Sequence, residues 1–502
     1  YNSKFGHSHS QFLGTIADTL VDAGHNVTSL IPIMAPSLRD GTEKSHKIYV
    51  EGDHAVHAFY EQPRVHNFFE LNMFNPIFPF IMGPIMADNF GRTCALVVNE
   101  PGLIARLKAE RYDLMITENF DPCGIGLSEA IGTKSVITSS STCLVNWQHD
   151  LFGVEQALSY RMSLMSRELN VHSMVDRFWN LFAEALGRIM FYYPPKTVNR
   201  LLKETFGPEY PTIAEQSAKV AYVLTNSEPL IESAAPTSSR VINVPGMAAS
   251  SPRSLDAHWE EILNRRNKTV LLSFGSMAKS VALPRQSKQG IVKAISSFPE
   301  ITFIWKYEDP EDEFCTEQAS KLPNLVMTKW MPQVDILNHP NLALFITHGG
   351  MASTQETALR GVPGIFVPIF GDQPRNAGMM QFNELGRVYD KFELYDGDKL
   401  AATIREVLEN DKYAKNAVRI SQMLARKPFE SRDLLIKHVE FAAEFGASAA
   451  LMPQSVKMSF VQYNNLDVLA VIVVCFGIVV AMFAKIGLYV MGLLIVKKTK
   501  SE

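Results

Sequence analysis

The chain has 502 residues, of which 46% are hydrophobic and 20% charged, with a formal net charge of −4. That length admits two or three ordinary domains, and the composition is globular rather than disordered. The charge argues against a nucleic-acid partner. The five cysteines at 94, 123, 143, 315 and 475 include no C-x-x-C pair and are too scattered for a disulfide framework or a zinc site.

The opening YNSKFGHSHSQF reads as the end of a first strand, so a cleaved leader is expected before it. Residues 10–24, SQFLGTIADTLVDAG, follow a helical pattern closed by Gly24. Strand-like runs then occupy 25–34, 112–117, 133–138, 221–226, 269–274, 301–307, 324–330, 342–348 and 364–370. Most are continuous apolar runs, as expected of strands covered on both faces of a parallel sheet. Helical patterns lie between them, which gives an α/β class. Residues 54–90 are rich in Phe and Met; such a surface accommodates varied apolar molecules, and equally suits packing against the core or a membrane.

A Ser-, Pro- and Ala-rich stretch at 227–255, with a short strand at 240–244, reads as a linker between two doubly wound domains. The expected organisation is an N-terminal domain at 1–240 and a C-terminal domain at 241–427. A helical return and juxtamembrane segment follows at 428–465, its helix at 429–449 packing back on the first domain. Residues 466–496 are apolar apart from Asp467 and Lys485, and crossing a bilayer takes about 20 such residues. The basic tail at 497–502 favours the cytosolic side, which leaves the body in the lumen. Lys498 and Lys500 resemble a di-lysine signal for retrieval to the endoplasmic reticulum. Of two sequons, Asn267 is the better glycosylation candidate, because Asn26 is expected to enter a strand.

In open α/β sheets ligands bind beyond the carboxyl ends of the strands. Four strands of the second domain end in unusual groups: Ser273-Phe274-Gly275-Ser276, Trp330-Met331-Pro332-Gln333, His348-Gly349-Gly350 and Gly371-Asp372-Gln373. Gly349 and Gly350 let the backbone approach a ligand closely. The helix beginning near Met351 points free N–H groups and a positive dipole end at the same place, which suits a diphosphate. His348 and Ser353 are placed to meet phosphate. Glu356 shares a helix face with Ser353 and can accept from ribose hydroxyls. Trp330 offers a flat face to a base, Gln333 can pair with its edge, and Asp372 and Gln373 can hold sugar hydroxyls.

These motifs resemble the UDP-glycosyltransferase family. The family signature matches from Phe345 to Gln373 without a gap, the Trp-x-Pro-Gln and Ser-Phe-Gly-Ser elements match as well, and the span and basic tail resemble the membrane-bound animal branch. The resemblance implies a GT-B fold of two Rossmann-like domains facing a cleft, UDP-sugar in the C-terminal domain and a small lipophilic acceptor in the N-terminal one. It implies an inverting transfer of a hexose or glucuronic acid to a hydroxyl, without a metal or other cofactor. Donor contacts fall on Ser276, Trp330, Gln333, His348, Gly350, Ser353, Glu356, Asp372 and Gln373. Plant relatives carry Asn where this chain has Ala352, so phosphate binding must rest on His348, Ser353 and backbone donors. The family's base histidine follows a serine after the first strand; Ser8-His9 fits, with His7 as rival and His25 as structural. The family's orienting aspartate falls on Glu118, with Asp121 as fallback.

Three other patterns carry less. Cys123-Gly-Ile-Gly126 lacks the third glycine of a dinucleotide loop, Asp396-Gly-Asp398 reads as a turn, and His7-Ser-His9 has no further metal ligand close in sequence. The competing readings are a catalytically inactive lipophile-binding protein on the same fold and a metal-dependent transferase. Oligomeric state, acceptor and donor sugar stay open.

Overall fold

The computed structural model describes residues 1–61, 67–145, 147–166, 169–247 and 252–499. They divide into two units, Tyr1–Met452 and Pro453–Glu502. In the first unit the strands are β1 (Thr28–Pro32), β2 (His46–Val50), β3 (Leu114–Glu118), β4 (Ser135–Ser140), β5 (Tyr222–Thr225), β6 (Val241–Asn243), β7 (Thr269–Ser273), β8 (Thr302–Lys306), β9 (Leu325–Thr328), β10 (Leu342–Thr347), β11 (Gly364–Phe366) and β12 (Gly386–Val388). All their pairings are parallel, in the orders β1-β2, β3-β4-β5-β6 and β12-β11-β10-β7-β8-β9.

The opening residues join the two smaller sheets. Asn2 and Lys4 donate backbone N–H groups to Leu30 and Pro32 on β1 at 2.9 Å, and the amino group of Tyr1 reaches the carbonyl of Ile116 on β3 at 2.8 Å. Lys4 forms an isolated parallel bridge with Ile33, so the segment runs beside β1 without forming the strand its sequence suggests. Gly6 is extended, and the first helix starts immediately after it, His7–Asp22. The short strand at 241–243 pairs with β5 and so belongs to the first sheet.

The six-stranded sheet is covered on both faces, which accounts for its unbroken apolar runs. One cluster holds Leu272, Phe303, Trp305 and Ile365, and another holds Leu271, Ile304 and Phe345. Alternate residues of one strand thus point into opposite layers. The return helix, Ser431–Phe445, lays Leu435, Val439 and Ala442 against Phe12, Ile137 and Leu224 of the first domain, as its apolar spacing requires.

Two expectations are corrected. Cys94 and Cys123 form a disulfide joining the helices Phe78–Asn99 and Pro122–Ile131. They are 29 residues apart, with no local spacing to announce the pair. Asn26 does not enter a strand; it is exposed ahead of β1, as Asn267 is exposed ahead of β7. In the second unit, the helix Leu466–Thr499 contains a 29-residue stretch, Leu466–Leu494, long and apolar enough to cross a membrane.

Candidate active site

The order of the large sheet reverses between β7 and β10, where open α/β sheets bind ligands beyond their carboxyl ends. His348, directly after β10, sits at that point. A Cβ built on Gly275 would meet the imidazole at 2.7 Å, and one on Gly350 at 2.6 Å. Gly275 also has φ +86°. Both positions therefore require glycine if the ring is to keep its place. Burial and the Lys306 ammonium push the His348 imidazole down to about 4, so at neutral pH it is an uncharged N–H donor.

That shift bears on stability. The unfolded chain binds a proton here below about 6.5 and the folded chain only below about 4. Stability associated with this ring is therefore present above 6.5 and lost as pH falls towards 4. His348→Gln should flatten the decline of unfolding free energy between pH 6.5 and 4.5, by about 2 kcal/mol, and the fall of apparent Tm with it. An unchanged slope in a thermal scan would show that the ring is not held neutral.

The helix Met351–Arg360 begins at the same point, after an extended Gly350 without a side-chain cap. Its first N–H groups are open to a ligand. Ser353 is buried on its first turns. Gln333 donates to Glu356 through Nε2 at 2.7 Å, and burial raises the Glu356 carboxyl. Trp330, at the end of β9, is 65% exposed, with Lys306 Nζ 5.7 Å from its ring centroid. Lys306 also donates to the Gly275 carbonyl at 2.6 Å. Sequence reading missed this cation, which ties the Trp330 corner to the His348 turn. The Gln373 amide oxygen accepts from Ile369 and Phe370 N–H at 2.8 and 3.1 Å, so its NH₂ is the part left for a ligand. Asn376 donates to Asp372 at 2.7 Å, and burial raises the Asp372 carboxyl.

Across the cleft, the carboxyl ends of β3 and β4 bring Glu118 and Ser141 to His9. His9 lies in the first turn of its helix, between Phe5 and Phe120. Its Nδ1 is 2.7 Å from Ser141 Oγ and 3.5 Å from Glu118 Oε2. Glu118 is fully buried at the end of β3. Ser141, just past β4, was missed in the sequence. His7 has no carboxylate within ion-pair distance among the described residues. Asp121, the fallback orienter, accepts from Cys123 N–H at 2.9 Å and the Tyr1 hydroxyl at 2.8 Å, and so caps a helix instead. His25 pairs with Glu440 at 3.2 Å on the surface, away from the cleft.

Two cavities meet at His9. One of about 170 Å³ is lined by His9, His348, Gly350, Ser353, Asp372 and Gln373, among others. The other, of about 270 Å³, is apolar; His9 and Asp372 line it together with Phe68, Phe78, Met82 and Phe90. Ser276 faces the larger one. Trp330, Gln333 and Glu356 line neither of these two cavities.

The profile of the family described as "UDP-glucoronosyl and UDP-glucosyl transferase" matches residues 4–501. The chain is 28% identical over 473 residues to the putative UDP-glucuronosyltransferase ugt-48 of Caenorhabditis elegans, covering 92% of this chain and 89% of that protein. It is 27% identical over 393 residues to UDP-glucuronosyltransferase 3A1 of Xenopus laevis, covering 78% and 73%. Among solved structures it is similar to the kitacinnamycin glycotransferase, with TM-score 0.58, 16% identity and coverage of 90% and 98%. It is also similar to Os79 from O. sativa, with TM-score 0.55, 15% identity and coverage of 88% and 98%.

Proposed function

Because the chain belongs to the UDP-glucoronosyl and UDP-glucosyl transferase family and has the GT-B fold, it is a UDP-glycosyltransferase, and we propose that it transfers a hexose or glucuronic acid, with inversion, to a hydroxyl of a small lipophilic acceptor. The observation that carries this reading is His9: one imidazole lines both the polar cavity beside His348 and the apolar cavity. A hydroxyl seated in the apolar cavity gives its proton to His9 Nε2. Its oxygen forms a bond to the anomeric carbon as the bond from that carbon to the diphosphate oxygen breaks. The electron pair leaves with UDP. Glu118 and Ser141 fix the ring through Nδ1 and support the imidazolium. The leaving charge is met by the N-terminus of the helix Met351–Arg360, the His348 N–H and the nearby Lys306 ammonium. In this reading Trp330 carries the base, Gln333 its edge, Glu356 the ribose, and Asp372 and Gln373 the sugar; no metal is required.

The test is UDP release from a panel of UDP-sugars with phenol and steroid acceptors, with and without a chelator. Release in the presence of chelator supports the reading. No release with any pair, by a protein that still binds UDP, would favour a lipophile-binding protein on the same fold.

We also place the enzyme in the endoplasmic reticulum membrane, with the body lumenal and the tail cytosolic. The apolar stretch Leu466–Leu494 and the lysines beyond it support this. Endoglycosidase digestion should increase gel mobility in the parent, by an amount reduced in Asn267→Gln. Digestion of the body by protease added to sealed microsomes would place it in the cytosol.

A further inference from the structure

Residues 67–73 belong in sequence to the first domain, yet Asn67, Phe68, Phe69 and Leu71 find partners in the second, while Met73 packs in the first against Met165, Ala183 and Leu186. Phe69 is 4% exposed within the core cluster of the six-stranded sheet, edge-on to Phe274 with ring centroids 5.4 Å apart. Phe68 stacks on Phe370 at 4.4 Å. Asn67 Nδ2 donates to the Ala282 carbonyl at 3.0 Å. Lys391, 7% exposed, donates to the carbonyls of Phe68 at 2.6 Å, Leu71 at 2.7 Å and Ile369 at 2.8 Å. All three ammonium hydrogens are thereby used, which is what a buried ammonium needs to offset its lost hydration.

Both aromatic partners immediately precede donor-rim turns. Phe274 leads into Gly275-Ser276, and Phe370 into Gly371-Asp372-Gln373. On its other side the same segment walls the apolar cavity through Asn67, Phe68, Phe69, Leu71 and Met73. We propose that residues 67–73 are a strap clamped to the donor-binding domain by Phe69 and Lys391, which couples occupancy of the UDP-sugar site to the shape of the acceptor cavity. Ordering the turns at 275–276 and 371–373 fixes Phe274 and Phe370, and these fix the strap. An acceptor held against the strap favours the same arrangement of the turns, because coupling between two sites is reciprocal.

The proposal rests on the assignment of the rim to UDP-sugar, and hydrogen exchange on the full-length protein separates the two. The probe is UDP. In the parent, UDP should slow amide exchange in a peptide spanning 348–356 and also, by about fivefold or more, in one spanning 67–74. In Lys391→Met the first effect should persist and the second be lost. Phe68→Ala, which removes the stack on Phe370 and one side chain of the cavity wall but keeps the backbone carbonyl that Lys391 holds, should show the same split and serves if Lys391→Met does not fold. A parent in which only 348–356 responds overturns the coupling alone. A parent in which neither responds overturns the donor assignment and the coupling with it. Unchanged transmission to 67–74 in both variants overturns the clamp.

Discussion

Replacing His9 with alanine should lower kcat by about 10²–10⁴-fold, the usual contribution of general base catalysis, while the Kd for UDP stays within about twofold. The separation follows from where the groups sit. The rim residues assigned to UDP all follow strands of the six-stranded sheet, whereas His9 reaches the shared space from the opposite domain. Removing its ring therefore takes away the proton acceptor and leaves the nucleotide contacts in place. Initial rates and calorimetric titration with UDP check both halves. His7→Ala is the control. That ring is two residues away and its basicity is lowered by burial and by Lys306 and Arg39, but it lacks the carboxylate that holds His9. An unchanged rate in His9→Ala with a large loss in His7→Ala would move the base to His7. Loss of UDP affinity in His9→Ala would make the ring a donor-site group instead.

The legible part of this site is the part written locally. Each donor-rim turn is a short motif directly after a strand, so its place at the sheet edge follows once the strand is recognised. His348 with its flanking glycines is the clearest case: the sequence shows the glycines, and the structure shows that the ring leaves no room for a Cβ at Gly350. What escaped depends on contacts distant in sequence. Lys306 reads as the tail of an apolar strand, and only the pairing of β7 with β8 brings it to Gly275. Ser141 is one of a run of serines, and its meaning comes from His9, 132 residues away. The Cys94–Cys123 bridge and the hold of Lys391 on Phe68 and Leu71 have no local signature either. The spacing of Trp330, Gln333, His348 and Glu356 predicts one cradle. The structure joins Gln333 to Glu356 and links Trp330 through Lys306 to Gly275, which packs against the His348 ring.

The second large effect is expected at Glu118. Glu118→Gln should lower kcat by about 10²-fold or more with little change in either KM. Glu118→Asp should lose less. Among the described residues Glu118 Oε2 is buried without a hydrogen-bond partner, and His9 Nδ1 stands 3.5 Å away. A carboxylate oxygen in that position favours a proton on Nδ1, which leaves Nε2 free to accept one from the acceptor hydroxyl. It also stabilises the imidazolium once that proton has moved, and the contact can tighten when substrate fills the site. A glutamine of the same shape carries no charge. Its amide can donate to Nδ1, which puts the ring proton on Nε2, where it blocks the base. Aspartate keeps the charge but withdraws it by about one carbon–carbon bond, roughly 1.5 Å, leaving Ser141 Oγ, 2.7 Å from the ring, to bridge the gap. A purely structural role for this buried side chain would also reduce activity, so the deciding measurement is the double variant. If Glu118 acts through the imidazole, His9→Ala combined with Glu118→Gln should be no slower than His9→Ala alone, because residues acting as a unit are not additive. Multiplying losses would reduce Glu118 to a packing residue and leave Ser141 as the group that orients the ring.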